Sequence, residues 1–363
     1  MKVAVVRGKY LNRFEMQNYA SLAGRFDMVG FASLFPIHSD VGFLVKKLAS
    51  PMDLPDFPLK LAFLNRLMID AMYLFGLERR LQGFDLVCAR ETYFHFTQQT
   101  LNAKQKGLVK KVIVTCSETI PFNHEGIWGR KKFKKRTIAL ADHFHCLTKK
   151  AKDCLVKEGA DPGKISIIGY GIDLDRFKPR SKRVIRRNGL NLLFVGRLEE
   201  QKGIKELLEA YRSIKRDYLT VSLRVVGKGP LRSVIEKQGI KTETVPYSKM
   251  PAIYHQADIF VLPSKPTKNW EEYYGMALLE AMASGLPVVT TDCGAIPEIV
   301  GDAALISPHS KAEKLYLSLK QIISHCKKRE IYSRKAYRHA KKYFDCRKQA
   351  DKIGLLWRKI LND

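Results

Sequence analysis

Short runs of β-branched and other apolar residues alternate with stretches of helical periodicity along almost the whole chain of 363 residues. This alternation predicts parallel β-sheets whose strands are joined by crossover helices. The candidate strands form two series, one in each half of the chain. The first comprises KVAVV, FDLVCA, KVIVTC, HFHCLT and ISIIGYG, and the second comprises LNLLFVGRL, VSLRVVGKG, TETVPY, ADIFVLPS, LPVVTTD and AALISP.

Two series of strands predict two α/β domains, and the length of the chain suits two cores better than one. A basic segment poor in apolar residues, Phe177–Gly189, separates the series and is typical of a connection between domains. We predict one domain over residues 1–180, a second over 181–345, and a final helix over 346–363 that packs back on the N-terminal domain. Two such domains facing each other would hold a ligand in the cleft between them.

The segment Leu59–Leu77 is the most apolar helical stretch of the chain, but Arg66 and Asp70 interrupt it. It therefore lacks the run of about eighteen apolar residues that a membrane-spanning helix needs. Its apolar residues nearly encircle the predicted helix, so we predict burial between other elements. Contact with a membrane or with a lipid acceptor is the alternative.

The chain is strongly basic, with 64 Lys and Arg against 36 Asp and Glu and a formal net charge of +28. Such a charge suits an anionic partner: nucleic acid, an acidic membrane surface or a phosphorylated substrate. The basic runs lack interleaved aromatic residues and a recognised binding module, which argues against nucleic acid. Seven scattered cysteines and an N-terminus without a long apolar run predict a cytoplasmic protein, with peripheral membrane contact as an alternative.

The acidic residues concentrate around a predicted helix, MALLEAMAS, which begins after Gly275 and ends at SGLP. Glu272 precedes this helix and Glu280 lies within it. The unpaired backbone N–H groups at a helix start favour phosphate, whereas carboxylates accept hydrogen bonds from hydroxyl groups. A ligand that carries both phosphate and polyol, such as a nucleotide sugar, would use both kinds of group. The amide groups in question are those of Gly275, Met276, Ala277 and Leu278.

Cations for a diphosphate follow the strand LLFVG, which ends at Gly196. Arg197 comes directly after this strand, and Lys202 comes just before the next glycine and helix. An arginine can fork onto two phosphate oxygens, and a lysine adds a compact second charge. We predict that both bind the diphosphate and stabilise it as a leaving group.

Four stretches in the C-terminal half together resemble the GT-B glycosyltransferases of the large retaining family 4. They are GYGIDLDRFKP (169–179), FVGRLEEQKG (194–203), VVGKGPLR (225–232) and YHQADIFVLPS…EEYYGMALLEAMASGLPVVTTDCGAIPEIV (254–300). The resemblance implies two Rossmann-like parallel-sheet domains facing each other across a cleft, the first binding the acceptor and the second the donor. It implies transfer of a hexosyl group from a UDP- or GDP-linked sugar to a glycan or lipid-linked acceptor, without a metal or another cofactor.

By position, the resemblance implies that Glu280 holds the donor ribose and that Glu272 touches the transferred sugar. It places Arg197, Lys202 and Gly196 at the donor diphosphate, with the backbone of Gly275, Met276, Ala277 and Leu278 assisting. An ordinary surface helix start, where acids are favoured anyway, is the alternative for the two glutamates. The DLD at 173–175 lies in one of the resembling stretches, so we interpret it as structural rather than as a metal site.

The N-terminal half resembles the family more loosely. Gly8 stands alone where relatives often have two glycines, so its contact with the donor is open. Many relatives place a histidine that faces the reaction centre after the strand that corresponds to KVIVTC. Here Glu118 is the candidate for this role by its position and His124 by its chemistry, and either could orient the acceptor or the sugar. Packing of the loop is the alternative for each residue. The basic segment Arg130–Arg136 could meet anionic lipid or form a solvated turn.

A nucleotide-sugar epimerase of the same architecture and a basic nucleic-acid-binding protein are the competing functions.

Overall fold

The computed structural model describes residues 1–180 and 189–363. They form two compact units: unit 1 consists of Met1–Gly171 and Cys346–Asp363, and unit 2 consists of Ile172–Asp345. Each unit is an α/β structure around one parallel sheet, which confirms the predicted fold class. Most of the predicted connection between the domains, residues 181–188, lies outside the described residues.

Every strand pairing in the two sheets is parallel. The sheet of unit 1 has the order β3-β2-β1-β4-β5-β6-β7, and the sheet of unit 2 has the order β10-β9-β8-β11-β12-β13. The strands are β1 (Lys2–Gly8), β2 (Asp27–Ala32), β3 (Leu44–Lys47), β4 (Phe84–Arg90), β5 (Val109–Cys116), β6 (His143–Cys146), β7 (Ile165–Ile167), β8 (Asn191–Val195), β9 (Ser222–Val226), β10 (Thr242–Glu243), β11 (Ile259–Leu262), β12 (Val288–Thr291) and β13 (Leu305–Ser307).

Helices connect the strands in both units. In unit 1 they are α1 (Arg13–Ala20), α2 (Lys60–Leu67), α3 (Leu77–Arg80), α4 (His95–Gln105), α5 (Arg130–Leu140) and α6 (Lys149–Lys157). In unit 2 they are α7 (Ile204–Asp217), α8 (Arg232–Glu236), α9 (Met250–His255), α10 (Met276–Ala283), α11 (Ile296–Val300), α12 (Ala312–Ser324) and α13 (Cys326–Tyr343), and α14 (Cys346–Asn362) returns to unit 1. Within the described ranges, no helix combines the length and the apolar character needed to cross a membrane.

The sheet of unit 1 is buried on both faces, which explains why its strands read as continuous apolar runs. Successive residues of β1 point to opposite faces, so Val3 and Val5 pack in one core cluster and Ala4 and Val6 in another. Trp357 of α14 belongs to the same cluster as Val3 and Val5. The last helix of the chain therefore completes a core that the first strand begins.

The predicted long helix over Leu59–Leu77 is wrong. The structure contains α2, which ends at Leu67, and the short α3, which begins at Leu77. Asp70 lies between them with a φ of 62°, and its buried carboxylate accepts a hydrogen bond from the backbone N–H of Met72 at 2.8 Å. An aspartate side chain that accepts a hydrogen bond from the backbone two residues on stabilises a turn, and this turn interrupts the helix. The predicted burial is wrong for the first part of the segment, where Leu59 is 81% exposed. It is confirmed for the part from Ala71 to Leu77, where Ala71, Met72, Leu74 and Leu77 lie in the core.

Candidate active site

The carboxyl ends of three neighbouring strands in unit 2, β8, β11 and β12, carry the residues of the candidate site. Lys202 follows β8, Ser264 follows β11, and Gly294 follows β12. Because these strands are adjacent and parallel, their carboxyl ends lie along one edge of the sheet. Glu272 and the start of α10 lie in the connection between β11 and β12.

Lys202 and Glu272 form a buried ion pair. The Nζ atom of Lys202 lies 2.6 Å from Oε2 of Glu272, and the side chains are 11% and 5% exposed. The hydroxyl of Ser264 donates to the same carboxylate oxygen at 2.9 Å. The Lys202 ammonium also lies 4.8 Å from the centroid of the Trp270 ring. Burying two charges costs solvation, and their mutual attraction together with the added hydrogen bond offsets this cost.

Two glycines allow the backbone to bring these residues together. Gly203 follows Lys202 with a φ of 70°, and a Cβ atom there would overlap the carbonyl of Pro263 after β11. Gly294 has a φ of 63°, and a Cβ atom there would overlap the carbonyl oxygen of Glu272. The backbone N–H of Ala295 donates to that same oxygen at 2.8 Å. Only glycine combines this conformation with such close backbone approach, so the turn after β12 fixes the main chain of Glu272.

The start of α10 adjoins this pair. The helix begins at Met276 directly after Gly275, as the sequence predicts, and the Cγ atom of Glu272 lies 3.6 Å from the Cβ position of Gly275. The amide of Leu278 donates to the carbonyl of Gly275 at 2.9 Å, so this one of the four predicted amides is already engaged. The first N–H groups of a helix have no acceptor within the helix, which leaves the Met276 and Ala277 amides suited to an anion.

Glu280 lies further along α10 in a pocket of aromatic side chains. The hydroxyl of Tyr254 donates to its Oε2 atom at 2.6 Å, and the Tyr247 hydroxyl forms a second hydrogen bond to the carboxylate. The Arg176 guanidinium lies over the Tyr247 ring, 4.0 Å from its centroid. Burial raises the pKa of Glu280 to about 7, against the opposing effects of the two tyrosines and of the Arg176 charge.

The ion pair that Arg197 forms among the described residues is with Glu199 and not with Glu272. Its Nη1 atom lies 2.9 Å from the carboxylate of Glu199, and its side chain is 58% exposed. Gly196 donates its backbone N–H to the carbonyl of Val226 at 3.0 Å, which joins the end of β8 to the end of β9. The structure thus brings Lys202 and Glu272 together, whereas Arg197 has a separate acidic partner.

The N-terminal candidates lie in unit 1. The Nε2 atom of His124 lies 3.4 Å from Oε2 of Glu118, so the two alternatives form one pair. Burial would raise the pKa of Glu118, but the hydrogen bonds from His124 and from the amides of Ile120 and Thr119 hold it below its usual value. Gly8 ends β1 with a φ of 55°, and its Cβ position lies 3.2 Å from the Phe96 ring.

Sequence reasoning missed four residues around the two glutamates, namely Arg176, Tyr247, Tyr254 and Ser264. Tyr254 and Ser264 stand inside the stretch YHQADIFVLPS, and Arg176 stands inside GYGIDLDRFKP, so the resembling stretches contain them without showing their partners. Asp173 accepts hydrogen bonds from the amides of Asp175 and Arg176 at 3.0 and 3.1 Å, which forms a turn. Among the described residues, no group of three or more His, Cys, Asp or Glu side chains could hold a metal ion.

Solved structures share this fold over nearly the whole chain. HepE from Anabaena, solved with UDP and glucose, superimposes with a TM-score of 0.77 over 99% of both chains at 14% identity. Sucrose-phosphate synthase from Thermosynechococcus elongatus gives a TM-score of 0.78 over 100% of this chain and 99% of that one at 16% identity. Identities this low establish the fold alone. The two parallel-sheet units therefore have the GT-B fold.

Sequence families identify the chain more narrowly. The model for "Glycosyl transferases group 1" matches residues 175–339, and the model for "Glycosyltransferase Family 4" matches residues 48–176. The chain therefore belongs to the GT-B glycosyltransferases of family 4. WcaL of Salmonella typhimurium, described as a colanic acid biosynthesis glycosyltransferase, is 35% identical over 43% of this chain and 41% of its own length.

A second relative shows the same partial coverage. D-inositol 3-phosphate glycosyltransferase 2 of Catenulispora acidiphila is 33% identical over 43% of this chain and 42% of its own length. The aligned part of the chain thus spans about two fifths of the length of these curated relatives.

Proposed function

We propose that this chain transfers a hexosyl group from a UDP- or GDP-linked sugar to a hydroxyl of a glycan or lipid-linked acceptor, with retention of configuration. The observation that carries the proposal is the buried pair of Lys202 and Glu272 beside the start of α10. The UDP in HepE and the colanic acid pathway of WcaL support a uridine donor and an envelope glycan acceptor.

Lys202 is the cation for the donor diphosphate in this proposal. A diphosphate offers the ammonium several anionic oxygens, so we expect Lys202 to exchange the Glu272 carboxylate for phosphate oxygens. The Trp270 ring lies beside the ammonium and can hold it in place by a cation–π contact during this exchange. Positive charge at this position stabilises the diphosphate as it leaves.

Glu272 is the group that orients the transferred sugar. Once Lys202 has turned to phosphate, the Glu272 carboxylate can accept hydrogen bonds from sugar hydroxyls, and Ser264 still holds one of its oxygens. The Met276 and Ala277 amides at the start of α10 bind the phosphate oxygens. The Glu280 carboxylate, held by Tyr247 and Tyr254, accepts hydrogen bonds from the hydroxyls of the nucleotide ribose.

In the chemical step, the bond from the anomeric carbon to the phosphate oxygen breaks as the acceptor oxygen bonds to the same face of that carbon. The departing phosphate takes the acceptor proton, so this route needs no side-chain base. The pair of Glu118 and His124 orients the acceptor or the sugar. Arg197 joins the diphosphate by leaving Glu199, which its exposure permits.

The test compares Lys202→Ala and Glu272→Gln with Lys205→Ala. Lys205 is a matched control because it pairs with Glu200 at 3.0 Å but is 58% exposed. UDP-glucose and GDP-mannose are screened by thermal shift, because a ligand that binds only the folded protein raises its melting temperature. We expect a stabilising donor for the wild type and for the control, and loss of this effect in Lys202→Ala.

Transfer rates complete the test. We expect rates to fall by about 10²–10³ in Lys202→Ala, the loss typical when one group that stabilises developing charge is removed. Rates close to wild type in both site variants would refute the assigned roles. Incubation with donor alone separates the competing epimerase function, because an epimerase would convert the donor sugar without any acceptor.

A further inference from the structure

Helix α2 in unit 1 shows apolar side chains to solvent along one row. Phe63 and Leu67 are four residues apart, so they lie on one side of the helix, and Leu59 directly precedes the helix at the same spacing. They are 81%, 51% and 69% exposed. Leu64 is buried at 4% and attaches the helix to the rest of unit 1. The exposed row is thus a second apolar face that the fold of unit 1 does not cover.

The lysine of the same helix points the other way. Lys60 is 6% exposed, and its ammonium donates to the carbonyl of Met52 at 3.0 Å and to the carbonyl of Leu54. It also pairs with Asp56 at 3.1 Å. A surface helix in water usually buries its apolar side chains and exposes its charged ones. Helix α2 follows this pattern at Leu64, which is buried, and at Arg66, which is exposed. It reverses the pattern at Lys60, Phe63 and Leu67. The exposed apolar row indicates that this side of the helix meets something other than water.

A basic helix continues this surface. Gly129, directly before α5, packs so closely on the side chain of Ile69 that a Cβ atom would lie 2.5 Å from it. Arg130 pairs with Asp70 at 2.6 Å. These contacts join the segment after α2 to the start of α5, where Trp128 is 66% exposed. The lysines that face solvent on α5 are Lys131, Lys132 and Lys135.

We propose that this surface, the exposed row of α2 with Trp128 and the α5 lysines, docks unit 1 on a bilayer that contains anionic lipid. Several large apolar side chains exposed along one element mark an interaction site more often than a single one does. Leucine, phenylalanine and tryptophan enter the boundary between headgroups and acyl chains, and neighbouring lysines bind anionic headgroups. The net charge of +28 favours an anionic surface in the same way. The proposal does not depend on the donor site, which lies in unit 2.

The test measures binding of the full chain to sedimented vesicles. One set contains phosphatidylglycerol and phosphatidylethanolamine, and the other contains phosphatidylcholine alone. Leu59→Ser/Leu67→Ser removes two exposed side chains of the row. Leu219→Ser/Leu355→Ser is the matched control, because those leucines are 78% and 63% exposed elsewhere on the chain. All four side chains face solvent, so melting temperatures should stay near that of the wild type.

We expect the wild type to bind the anionic vesicles, the first variant to bind at least tenfold more weakly, and the control to stay within twofold of the wild type. Lys132→Glu/Lys135→Glu should weaken binding to the anionic vesicles by a similar factor. Equal loss in the control variant, or no vesicle binding by the wild type, would overturn the proposal. So would a dimer in vesicle-free solution that the first variant abolishes, because the surface would then bind a second copy of the chain.

Discussion

Glu280→Gln should make the protein more stable at alkaline pH while it weakens donor binding. Glu280 is 5% exposed, and burial raises its pKa from 4.5 to about 7. Below pH 4.5 the carboxyl is protonated in both the folded and the unfolded chain, and glutamine resembles the protonated acid in shape. As pH rises, the unfolded chain ionises first because its pKa is lower. Wild-type stability therefore falls relative to the variant until the pH passes about 7.

The size of this effect follows from the pKa change. Each pKa unit corresponds to about 1.4 kcal/mol, so the full loss is about 3 kcal/mol, most of it between pH 5 and pH 8. For a unit of this size, 1 kcal/mol shifts the melting temperature by about 2–4 °C. We therefore expect the melting temperature of the variant to exceed that of the wild type by about 6–12 °C at pH 8, with a much smaller difference at pH 5.

Differential scanning calorimetry across this pH range measures the difference directly. Glu209→Gln serves as a control on the exposed side of α7 in the same unit, and its offset from the wild type should not change with pH. A constant difference between Glu280→Gln and wild type from pH 5 to pH 8 would refute the reasoning. So would a variant that is less stable than wild type at pH 8. Unchanged donor binding in the variant would instead remove Glu280 from the ribose site.

Three further predictions test the packing of both units. Gly294→Ala places a Cβ against the Glu272 carbonyl and should lower the free energy of unfolding by about 1–3 kcal/mol and remove most transfer activity. Gly239→Ala is the control, because its φ is also positive, at 73°, but nothing lies within 4 Å of its Cβ position, so transfer should be unchanged. Urea unfolding and transfer rates measure both variants. Tyr254→Phe removes a donor from the buried Glu280 carboxylate and should cost about 1.5–3 kcal/mol at pH 8, measured by urea unfolding. Tyr316→Phe, which loses an exposed hydrogen bond to Asp217, should change stability little, and equal losses in both tyrosine variants would contradict this account. Trp357→Ala should destabilise unit 1 by about 3–5 kcal/mol in the same assay, because Trp357 is 1% exposed and packs against Phe26 and Tyr19; a loss below 1 kcal/mol would show that α14 contributes little.

The sequence predicts most of the sheet framework because buried parallel strands are continuous apolar runs. Strands β2 and β3 are both missing from the predicted series. In β2 five of six residues are buried, but its short run DMVGFA contains Gly30, which weakens a strand pattern. Strand β3 lies at the edge of its sheet, and three of its four residues are exposed. Strand β10 is shorter than its apolar pattern suggests, with only Thr242 and Glu243 paired. The segment after Leu59 misleads for the opposite reason, because apolar residues there face solvent, and periodicity cannot show which side of a helix is covered.

The candidate site is predictable in part. Glu272 and Glu280 are predictable because the start of α10 between them can be recognised in a single stretch of sequence. Lys202 is predictable because it lies in the short loop after β8. The contact between Lys202 and Glu272 joins residues seventy positions apart, and it depends on the order of β8 and β11 in the sheet. The tyrosines around Glu280 show the same limit, because a tyrosine is more often a core residue than a hydrogen-bond partner. The acidic partner of Arg197 was likewise not foreseen.

The return of α14 to unit 1 has a consequence for biosynthesis. The core around Trp357 needs both strand β1 and helix α14, so residues Cys346–Asp363 must leave the ribosome before unit 1 can close. Unit 2 is encoded entirely within the intervening segment and emerges complete at an earlier moment. The usual vectorial order, in which the N-terminal domain matures first, is then reversed. A nonsense codon within α14 would damage the domain that was translated first.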